Sequence, residues 1–386
     1  MGNISGKYAI VGIGETEVGR RLDKSITALG LQAAVSAMRD AGLEKREIDG
    51  VITHQQRSNP HANCSALLAD RLGIKPAYIN DTSLSGAAPA SMVINAVGAI
   101  EAGLCSAVLC ASAGGSQALS RDGRGHGRLA TGWEDFMHPF GAVAAPIHYA
   151  LGARRHMHEY GTTSRQFGAI AVACRKHASM NPNAQMRKPI TIEDHQNSRM
   201  IADPFRLLDC SLVSTGAGAV IVTSAEQAKD LPSGPAYLLG MGSACLFSGV
   251  TYAEDLTSVA GKEASRQAFR MACLAPADVD VAELYDCFTY TVLVTLEDYG
   301  FCKKGEGGPF VENDRIELGG KLPVNTHGGL LSQAHVGGIL HITEAVTQLR
   351  HAAGPRQVKD AEVAVVSSQC GQLGIHVTLL LGSSPN

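Results

Sequence analysis

The stretch AMRDAGL at Ala37–Leu43, followed by IDGV at Ile48–Val51, recurs later in the chain in a closely similar form. The second copy reads AFRMACL at Ala268–Leu274 and VDVA at Val279–Ala282, and all matched pairs lie at one constant offset. Similarity at half the chain length indicates a duplicated α/β unit rather than an array of short repeats. Chance resemblance between two alanine-rich amphipathic helices is the alternative explanation.

Each copy follows a glycine-rich apolar segment and precedes another apolar segment, which is the pattern of strand, helix and strand. In the first copy the pattern predicts a strand at Tyr8–Val11 and a helix from about Ser25 to Ala41, closed by Gly42. The glycines that follow the strand lack the GxGxxG spacing, and no acidic residue ends a suitable second strand. A dinucleotide site is therefore not expected.

The repeat divides the chain into an N-terminal half, residues 1–232, and a C-terminal half, residues 233–386. Small-residue strands at Ser106–Gly114 and Glu362–Gly371 are each expected to deliver a loop to the edge of the sheet. Residues 117–203 are irregular apart from a helical stretch around Pro146–Met180. We expect this insertion to form a lid or substrate-binding loop domain.

Composition favours a globular protein that binds a small molecule. The 386 residues are 45% hydrophobic and 18% charged, with a net charge of -3. Such a balance produces no electrostatic field that would attract nucleic acid or an anionic membrane. No signal peptide or membrane span is recognisable, so we expect a cytoplasmic protein. The ten cysteines are scattered without CxxC spacing, which favours reduced thiols and no bound metal.

Four segments carry a resemblance that covers nearly the whole chain. They are AIVGIGET at Ala9–Thr16, NDTSLSG at Asn80–Gly86, ELYDCF at Glu283–Phe288, and NTHGG leading to AHVG within Asn325–Gly337. In this order they resemble the thiolase superfamily, most closely its sterol-carrier-protein-x and lipid-transfer-protein-like branch. The resemblance implies two βαβαβ halves in a five-layered αβαβα body with a loop-domain insertion.

The resemblance also implies partners and ligands. A thiolase-like enzyme acts on an acyl-CoA, so coenzyme A is expected as part of the substrate and no permanently bound cofactor is expected. A homodimer is implied, and we expect it to form through sheet edges near the Ser106–Gly114 strand. Members of this branch often work with a small OB-fold and zinc-ribbon protein, which is a possible partner here.

Ser83 stands where the resembled thiolases carry their nucleophilic cysteine. A serine hydroxyl is far less acidic than a thiol and needs a dedicated base to attack a thioester. Acyl-enzyme chemistry would therefore be slow unless such a base lies nearby. The alternative is that Ser83 only caps the following helix.

Tyr285 and His335 are the candidate acid and base. Tyr285 resembles the YDCF tyrosine of steroid side-chain aldolases, which also lack the nucleophilic cysteine and cleave β-hydroxyacyl-CoA thioesters. Those enzymes carry a second tyrosine where this chain has His335, the position of the thiolase GHP histidine. Local packing of either ring is the alternative. Cys370 is a further candidate acid or base, and otherwise a small buried residue like Cys287.

Further residues are candidates for binding the substrate. His327, Gly328 and Gly329 neighbour the resembled NPSGG motif, where His327 is more easily understood as a supporting residue. Some side chains of the insertion are candidates for the wall of an apolar acyl pocket, although ordinary contacts between lid and body explain them equally well. Two arginines are candidates for contact with the CoA phosphates, although exposed arginines are common in loops. Those side chains are Trp133, Met137, His138, Pro139 and Phe140 for the pocket, and Arg124 and Arg128 for the phosphates.

These residues predict a carbon–carbon lyase that performs retro-aldol cleavage of a β-hydroxyacyl-CoA without an acyl-cysteine. Acid/base groups are retained and the nucleophile is lost, which is what this chemistry requires. One alternative is a thiolase or acyltransferase that uses Ser83 or Cys370 as nucleophile. The other is a non-catalytic scaffold subunit. Analogy at the level of the fold suggests a steroid, another terpenoid or an aromatic acyl group, and so lipid or steroid metabolism.

Overall fold

The computed structural model describes residues 4–54, 63–115 and 137–385. The strands are β1 (Tyr8–Glu15), β2 (Gly50–His54), β3 (Tyr78–Thr82), β4 (Ala107–Gly114), β5 (Met200–Ala202), β6 (Phe205–Arg206), β7 (Gly216–Ser224), β8 (Ala236–Cys245), β9 (Val281–Glu283), β10 (Val363–Cys370) and β11 (Ile375–Gly382). The helices are α1 (Ile26–Ala41), α2 (Cys64–Leu72), α3 (Ala88–Glu101), α4 (Ala145–Tyr160), α5 (Ser164–Met180), α6 (Ile192–Asn197), α7 (Ala225–Ala228), α8 (Gly261–Ala272), α9 (Thr289–Asp298), α10 (Gly307–Phe310), α11 (Gly329–Ser332) and α12 (Ile339–Leu349).

Within the described residues, nine strands form one sheet in the order β3-β2-β4-β7-β1-β8-β11-β10-β9. The two halves join where β1 pairs antiparallel with β8, at Ala9–Tyr237 and Ile10–Ala236. On either side of this seam the pairings repeat: β1 with β7 matches β8 with β11, β7 with β4 matches β11 with β10, and the parallel pair β4–β2 matches β10–β9. The sheet therefore has the pseudo-twofold order that the sequence repeat predicts.

The repeated stretch also folds alike in detail. Helix α1 ends at Gly42 with φ of 71° and α8 ends at Cys273 with φ of 54°, so both close in the left-handed region. The Asp49 carboxylate then accepts hydrogen bonds from two backbone N–H groups at the start of β4. Asp280 does the same at the start of β10. One aspartate in each copy thus holds the repeated stretch to the strand beside it.

Glycines in β1 and β8 explain how closely the helices approach the sheet. A Cβ on Gly12 or Gly14 would collide with backbone carbonyl oxygens of α1, and one on Gly240 or Gly242 would collide with those of α8. The absence of a side chain lets helix and strand backbones meet directly. These glycines therefore serve helix packing in both halves.

Helices α3 and α12 form a central layer, because each contacts strands of both halves of the sheet. Helix α1 covers β1, β7 and β4 on the outside of the first half, and α8 covers β8 and β11 on the outside of the second. This is the αβαβα order expected for the thiolase fold.

The sheet order bears on one expectation, and the helix bounds correct another. Strand β4 lies between β2 and β7, so Ser106–Gly114 does not itself form a sheet edge, and the dimer contact near it stays a prediction. The single helical stretch at 146–180 is two helices, because α4 ends at Gly161 with φ of 73° and Thr163 caps α5. The domain boundaries, including the insertion at 117–203, stay predictions. Within the described ranges, no helix is long and apolar enough to span a membrane.

Candidate active site

A cavity of about 660 Å³ lies where loops from both halves meet beside the described part of the insertion. The YDCF segment, the loop after α11, the end of β10 and helix α4 each contribute side chains to its wall. Tyr285, His335 and Cys370 line it together, as predicted. The polar and thiol groups around them are Ser85, His138, His148, Tyr149, Ser211, Ser248, Cys287, Gln369 and Gln372.

Tyr285 and His335 are directly hydrogen-bonded across the cavity wall. The Tyr285 hydroxyl oxygen lies 3.1 Å from His335 Nε2, and the rings meet edge to face. On the other side of the imidazole, Nδ1 lies 3.0 Å from the Ser211 hydroxyl. The backbone N–H of His335 donates to Ser214 Oγ at 3.0 Å. Two hydrogen bonds therefore fix the imidazole, with one nitrogen held against the phenol, and a third fixes the His335 backbone.

The two motifs that carry these residues interlock through buried side chains. The Asn325 side chain pairs with both backbone groups of Leu284, at 2.7 and 2.9 Å. The Glu283 carboxylate accepts from Thr326, and the Asp286 carboxylate accepts from the N–H groups of the second and third residues of α11 at 2.8 and 3.2 Å. The ELYD and NTHGG segments therefore position Tyr285 and His335 as one unit.

Small residues leave space for the phenol. A Cβ on Gly86 would strike the Tyr285 hydroxyl, and a Cβ on Gly338 would lie 2.9 Å from its ring carbons. Gly338 also has φ of 87°, a conformation that favours glycine. Gly329, with φ of 64°, leaves no room for a side chain beside the Asp286 carboxylate. The glycines of the motifs thus set the geometry of the pair.

Burial keeps both members of the pair neutral. It raises the pKa of Tyr285 well above its ordinary value, and the nearby Cys287 and Cys370 thiols add to the effect. Burial also lowers the pKa of His335 to about 4, although the Asp286 carboxylate opposes this. At neutral pH the site therefore contains a protonated phenol and an imidazole with a free lone pair.

The thiols at the site are protonated as well. Burial raises the pKa of Cys370 to about 11, although the Ala87 N–H opposes the shift, and burial raises the pKa of Cys287 to about 12. A thiolate is the nucleophilic form of cysteine. Neither thiol therefore has the activated state that acyl transfer requires.

Ser83 lies apart from this group. It is exposed, and the loop after β3 lines the cavity with Ser85 and Gly86 instead. Ser85 has φ of 44°, a left-handed turn that carries the chain from the strand to α3. The residue before α3 is Ala87, so Ser83 is not its N-cap. The expected convergence therefore includes Tyr285, His335 and Cys370, but not Ser83.

The predicted binding residues have different positions. His138 lines the cavity, whereas Phe140 is 88% exposed. His327 is buried behind the wall with Nδ1 2.8 Å from Glu283. Burial alone would lower the pKa of His327, but the Glu283 and Glu344 carboxylates raise it. Gly328 packs on Ala178, so this segment supports the site. Three predicted residues, Arg124, Arg128 and Trp133, lie outside the described residues.

Several lining residues were not predicted from the sequence. Ser211 follows an irregular segment. Tyr149 and His148 lie on α4, and in the sequence they fit the pattern of an ordinary amphipathic helix. Gln369 and Gln372 flank the predicted Cys370. Proximity to Cys370 in the sequence was a usable signal for these two glutamines, whereas the other three residues reach the cavity only through tertiary packing.

Comparisons with known proteins agree with this architecture. Residues 242–383 match the family described as "Thiolase C-terminal domain-like". The chain is 39% identical to the 17-hydroxy-3-oxo-4-pregnene-20-carboxyl-CoA lyase of Mycobacterium tuberculosis, covering 90% of this chain and 92% of that protein. It is 33% identical to an acetyl-CoA acetyltransferase of Methanothermobacter thermautotrophicus, covering 96% and 98%.

A solved structure described as "Ltp2-ChsH2(DUF35) aldolase" matches with a TM-score of 0.89 and 35% identity, covering 98% of both chains. Similarity of this extent to both an aldolase and an acetyltransferase confirms the predicted family, in agreement with the repeated halves and the interlocked motifs. The chain belongs to the thiolase superfamily, in its sterol-carrier and lipid-transfer-protein-like branch.

Proposed function

We propose that this chain is a thiolase-like carbon–carbon lyase that cleaves a β-hydroxyacyl-CoA by a retro-aldol reaction. The observation that carries the proposal is the neutral Tyr285–His335 pair, 3.1 Å apart in a cavity whose thiols are protonated. A retro-aldol reaction needs proton transfer and stabilisation of an enolate, and it needs no covalent acyl-enzyme. The relative that is named a CoA lyase supports the same class of reaction.

The pair can remove the substrate's β-hydroxyl proton by a relay. Tyr285 transfers its proton to the lone pair on His335 Nε2 while its oxygen accepts the β-hydroxyl proton of the substrate. The hydrogen bond between His335 Nδ1 and Ser211 holds the imidazole in place, and the Asp286 carboxylate favours the cation that forms. The phenol therefore stays neutral throughout, in keeping with its raised pKa.

The remaining steps break the carbon–carbon bond and return the proton. As the β-oxygen becomes a carbonyl, the Cα–Cβ bond breaks and its electron pair enters the thioester enolate. The proton held on the His335 imidazolium then returns through the Tyr285 hydroxyl to Cα, which gives the shortened acyl-CoA and restores the neutral pair. The products are a ketone or aldehyde and an acyl-CoA, and free CoA is not consumed.

Thiolase chemistry is the second candidate, because an acetyl-CoA acetyltransferase is among the relatives. It would need Ser83 or Cys370 as nucleophile. The exposed position of Ser83 outside the cavity lining and the raised pKa of Cys370 both count against it. A non-catalytic scaffold is disfavoured because it would have no use for a complete hydrogen-bonded acid/base pair.

The proposal extends to the assembly and its ligands. The substrate is an acyl-CoA, and CoA enters only as its thioester moiety. A homodimer is proposed for the chain, together with a small OB-fold and zinc-ribbon partner. The solved aldolase whose description pairs Ltp2 with ChsH2(DUF35) supports such a partner. We propose a cytoplasmic location for this assembly.

The test uses 17-hydroxy-3-oxo-4-pregnene-20-carboxyl-CoA, which the name of the lyase relative suggests as a probe. The chain is assayed alone and as isolated from its source, so that a bound partner is retained. We expect release of ketone and acyl-CoA at a rate independent of added free CoA, and no mass increase of the intact protein. Stoichiometric consumption of CoA, or an acyl group on Ser83 or Cys370, would restore the thiolase interpretation.

A further inference from the structure

Helix α4 brings a second phenol to the cavity. Tyr149 lines the cavity together with Tyr285 and His335, and its side chain is only 7% exposed. Its ring packs on Phe288, with centroids 4.8 Å apart, so the side chain is held in place from the YDCF side. Two phenols, one on α4 and one in the YDCF segment, therefore face one cavity.

The hydroxyl of Tyr149 has a weak polar neighbour. It lies beside the Cys287 thiol, and each group shifts the pKa of the other. Among the described residues, the side-chain group that hydrogen-bonds this hydroxyl is the Cys287 thiol. Sulfur is a poor acceptor compared with oxygen. The Tyr149 hydroxyl can therefore exchange this neighbour for a charged oxygen at small cost.

A retro-aldol reaction requires more than the Tyr285–His335 pair supplies. That pair is occupied with the β-hydroxyl proton, because the Tyr285 oxygen must accept it and the His335 nitrogen must take the phenolic proton. Negative charge meanwhile develops on the thioester oxygen, at the other end of the breaking bond. A separate hydrogen-bond donor is needed there. Tyr149 is the second hydroxyl of phenolic acidity among the lining residues.

We propose that Tyr149 is a catalytic residue that donates a hydrogen bond to the thioester oxygen as the enolate forms. The proposal rests on the retro-aldol function proposed above and adds the enolate-binding group to it. Burial raises the pKa of Tyr149, so the hydroxyl keeps its proton and remains a donor. Cys287 then acquires a role, because its sulfur holds the hydroxyl before substrate binds.

The test separates enolate formation from bond cleavage. Exchange of the α-hydrogens of acetyl-CoA and propionyl-CoA in D2O requires the enolate alone, whereas cleavage of the β-hydroxyacyl-CoA also requires the β-hydroxyl relay. Tyr149→Phe should lower both rates by about 10²- to 10³-fold, the usual effect of removing one donor to an oxyanion. Its dissociation constants for the acyl-CoAs should stay within a few-fold of the parent protein.

Tyr290→Phe is the matched control. Tyr290 is also a fully buried phenol, but it donates to the Leu256 carbonyl oxygen at 2.9 Å and does not line the cavity. We expect it to lose thermal stability and to keep both rates within about threefold. Tyr149→Leu provides a second variant if Tyr149→Phe does not fold, and it should show the same loss of exchange.

The outcomes distinguish the two proposals. If the parent protein cleaves the substrate and Tyr149→Phe retains its exchange and cleavage rates, the role of Tyr149 is wrong and the lyase function stands. If the parent protein shows neither exchange nor cleavage, the lyase function is wrong and the role of Tyr149 fails with it. A loss of exchange in Tyr149→Phe with intact acyl-CoA binding supports both.

Discussion

The substitution Gly86→Ala displaces the Tyr285 phenol without altering a catalytic group. A Cβ on residue 86 would lie 2.5 Å from the Gln369 carbonyl oxygen and closer still to the Tyr285 hydroxyl oxygen, whereas ordinary contact begins at 3.4 Å. The Gln369 oxygen belongs to the backbone of β10, so relief of that contact requires a shift of the main chain at residue 86, and the phenol must yield as well. Residue 86 does not have a positive φ, so alanine adds no backbone strain of its own.

The expected loss follows from these distances. The phenol must move by roughly 1 Å to relieve the contact. Gly338 lies against the Cδ2 and Cε2 atoms of the ring, so the movement has little freedom, and the 3.1 Å hydrogen bond to His335 is lost. A displacement of about 1 Å can cost about 10²-fold in rate, which is the decrease in kcat we expect. Overpacking should also lower the free energy of unfolding by about 1–3 kcal/mol.

The assay compares kcat and KM for cleavage of the β-hydroxyacyl-CoA, with thermal unfolding measured on the same samples. Gly98→Ala is the control, because Gly98 lies inside α3 and a Cβ there would meet no atom within 4 Å. It should keep kcat and gain about 0.5–1 kcal/mol of stability, the usual gain from replacing a helical glycine.

A double variant shows whether the loss acts through the phenol. Gly86→Ala combined with Tyr285→Phe should be no slower than Tyr285→Phe alone, because both changes remove the same hydrogen bond. Wild-type kcat in Gly86→Ala would refute the placement of Tyr285. Losses that multiply in the double variant would show that Gly86 acts on something other than the phenol.

The remaining predictions concern the catalytic pair and pH. Tyr285→Phe and His335→Ala should each lower kcat by about 10²- to 10⁴-fold while acyl-CoA binding persists, and Ser83→Ala should stay near wild type, as measured by steady-state kinetics and calorimetry. Because the relay needs neutral His335, whose pKa is lowered to about 4, kcat/KM should fall only as the pH drops toward 4, and an acid limb near pH 6.5 would contradict this. Stability in urea should decrease as the pH falls from about 6.5 to 4. In this range histidines of the unfolded chain take up protons, whereas the buried histidines of the folded chain stay neutral. Each such histidine contributes up to about 1.4 kcal/mol per pH unit. The other buried histidines with lowered pKa are His54, His177 and His376.

Local patterns in the sequence predicted much of the fold. The helix closed by Gly42 and the repeat that ends at Cys273 depend on residues close together in the chain, so they could be recognised before any tertiary contact was known. The seam between β1 and β8 joins residues more than two hundred positions apart, and no local signal marks it. Long-range pairing of this kind depends on how the two halves pack.

Tyr285 and His335 were predicted because their motifs resemble the YDCF and GHP segments of the thiolase superfamily, and the two side chains are in hydrogen-bond contact. Ser83 was misplaced because a left-handed turn at Ser85 redirects the chain, and side-chain direction after a turn cannot be obtained from spacing. Ser211 and Tyr149 reach the cavity from separate elements. Their sequence neighbourhoods contain no pattern that distinguishes them from residues that only pack.

One physical cause connects the lost nucleophile with the retained pair. Removal from water penalises charge, so the same burial that raises the pKa of Cys370 also raises that of Tyr285 and lowers that of His335. A thiolate is disfavoured in such a cavity, whereas two neutral groups in hydrogen-bond contact can still exchange a proton. A thiolase would have to overcome this environment at its nucleophile. A retro-aldolase works within it, because charge appears only as the substrate reacts, at the imidazole beside Asp286 and at the enolate oxygen.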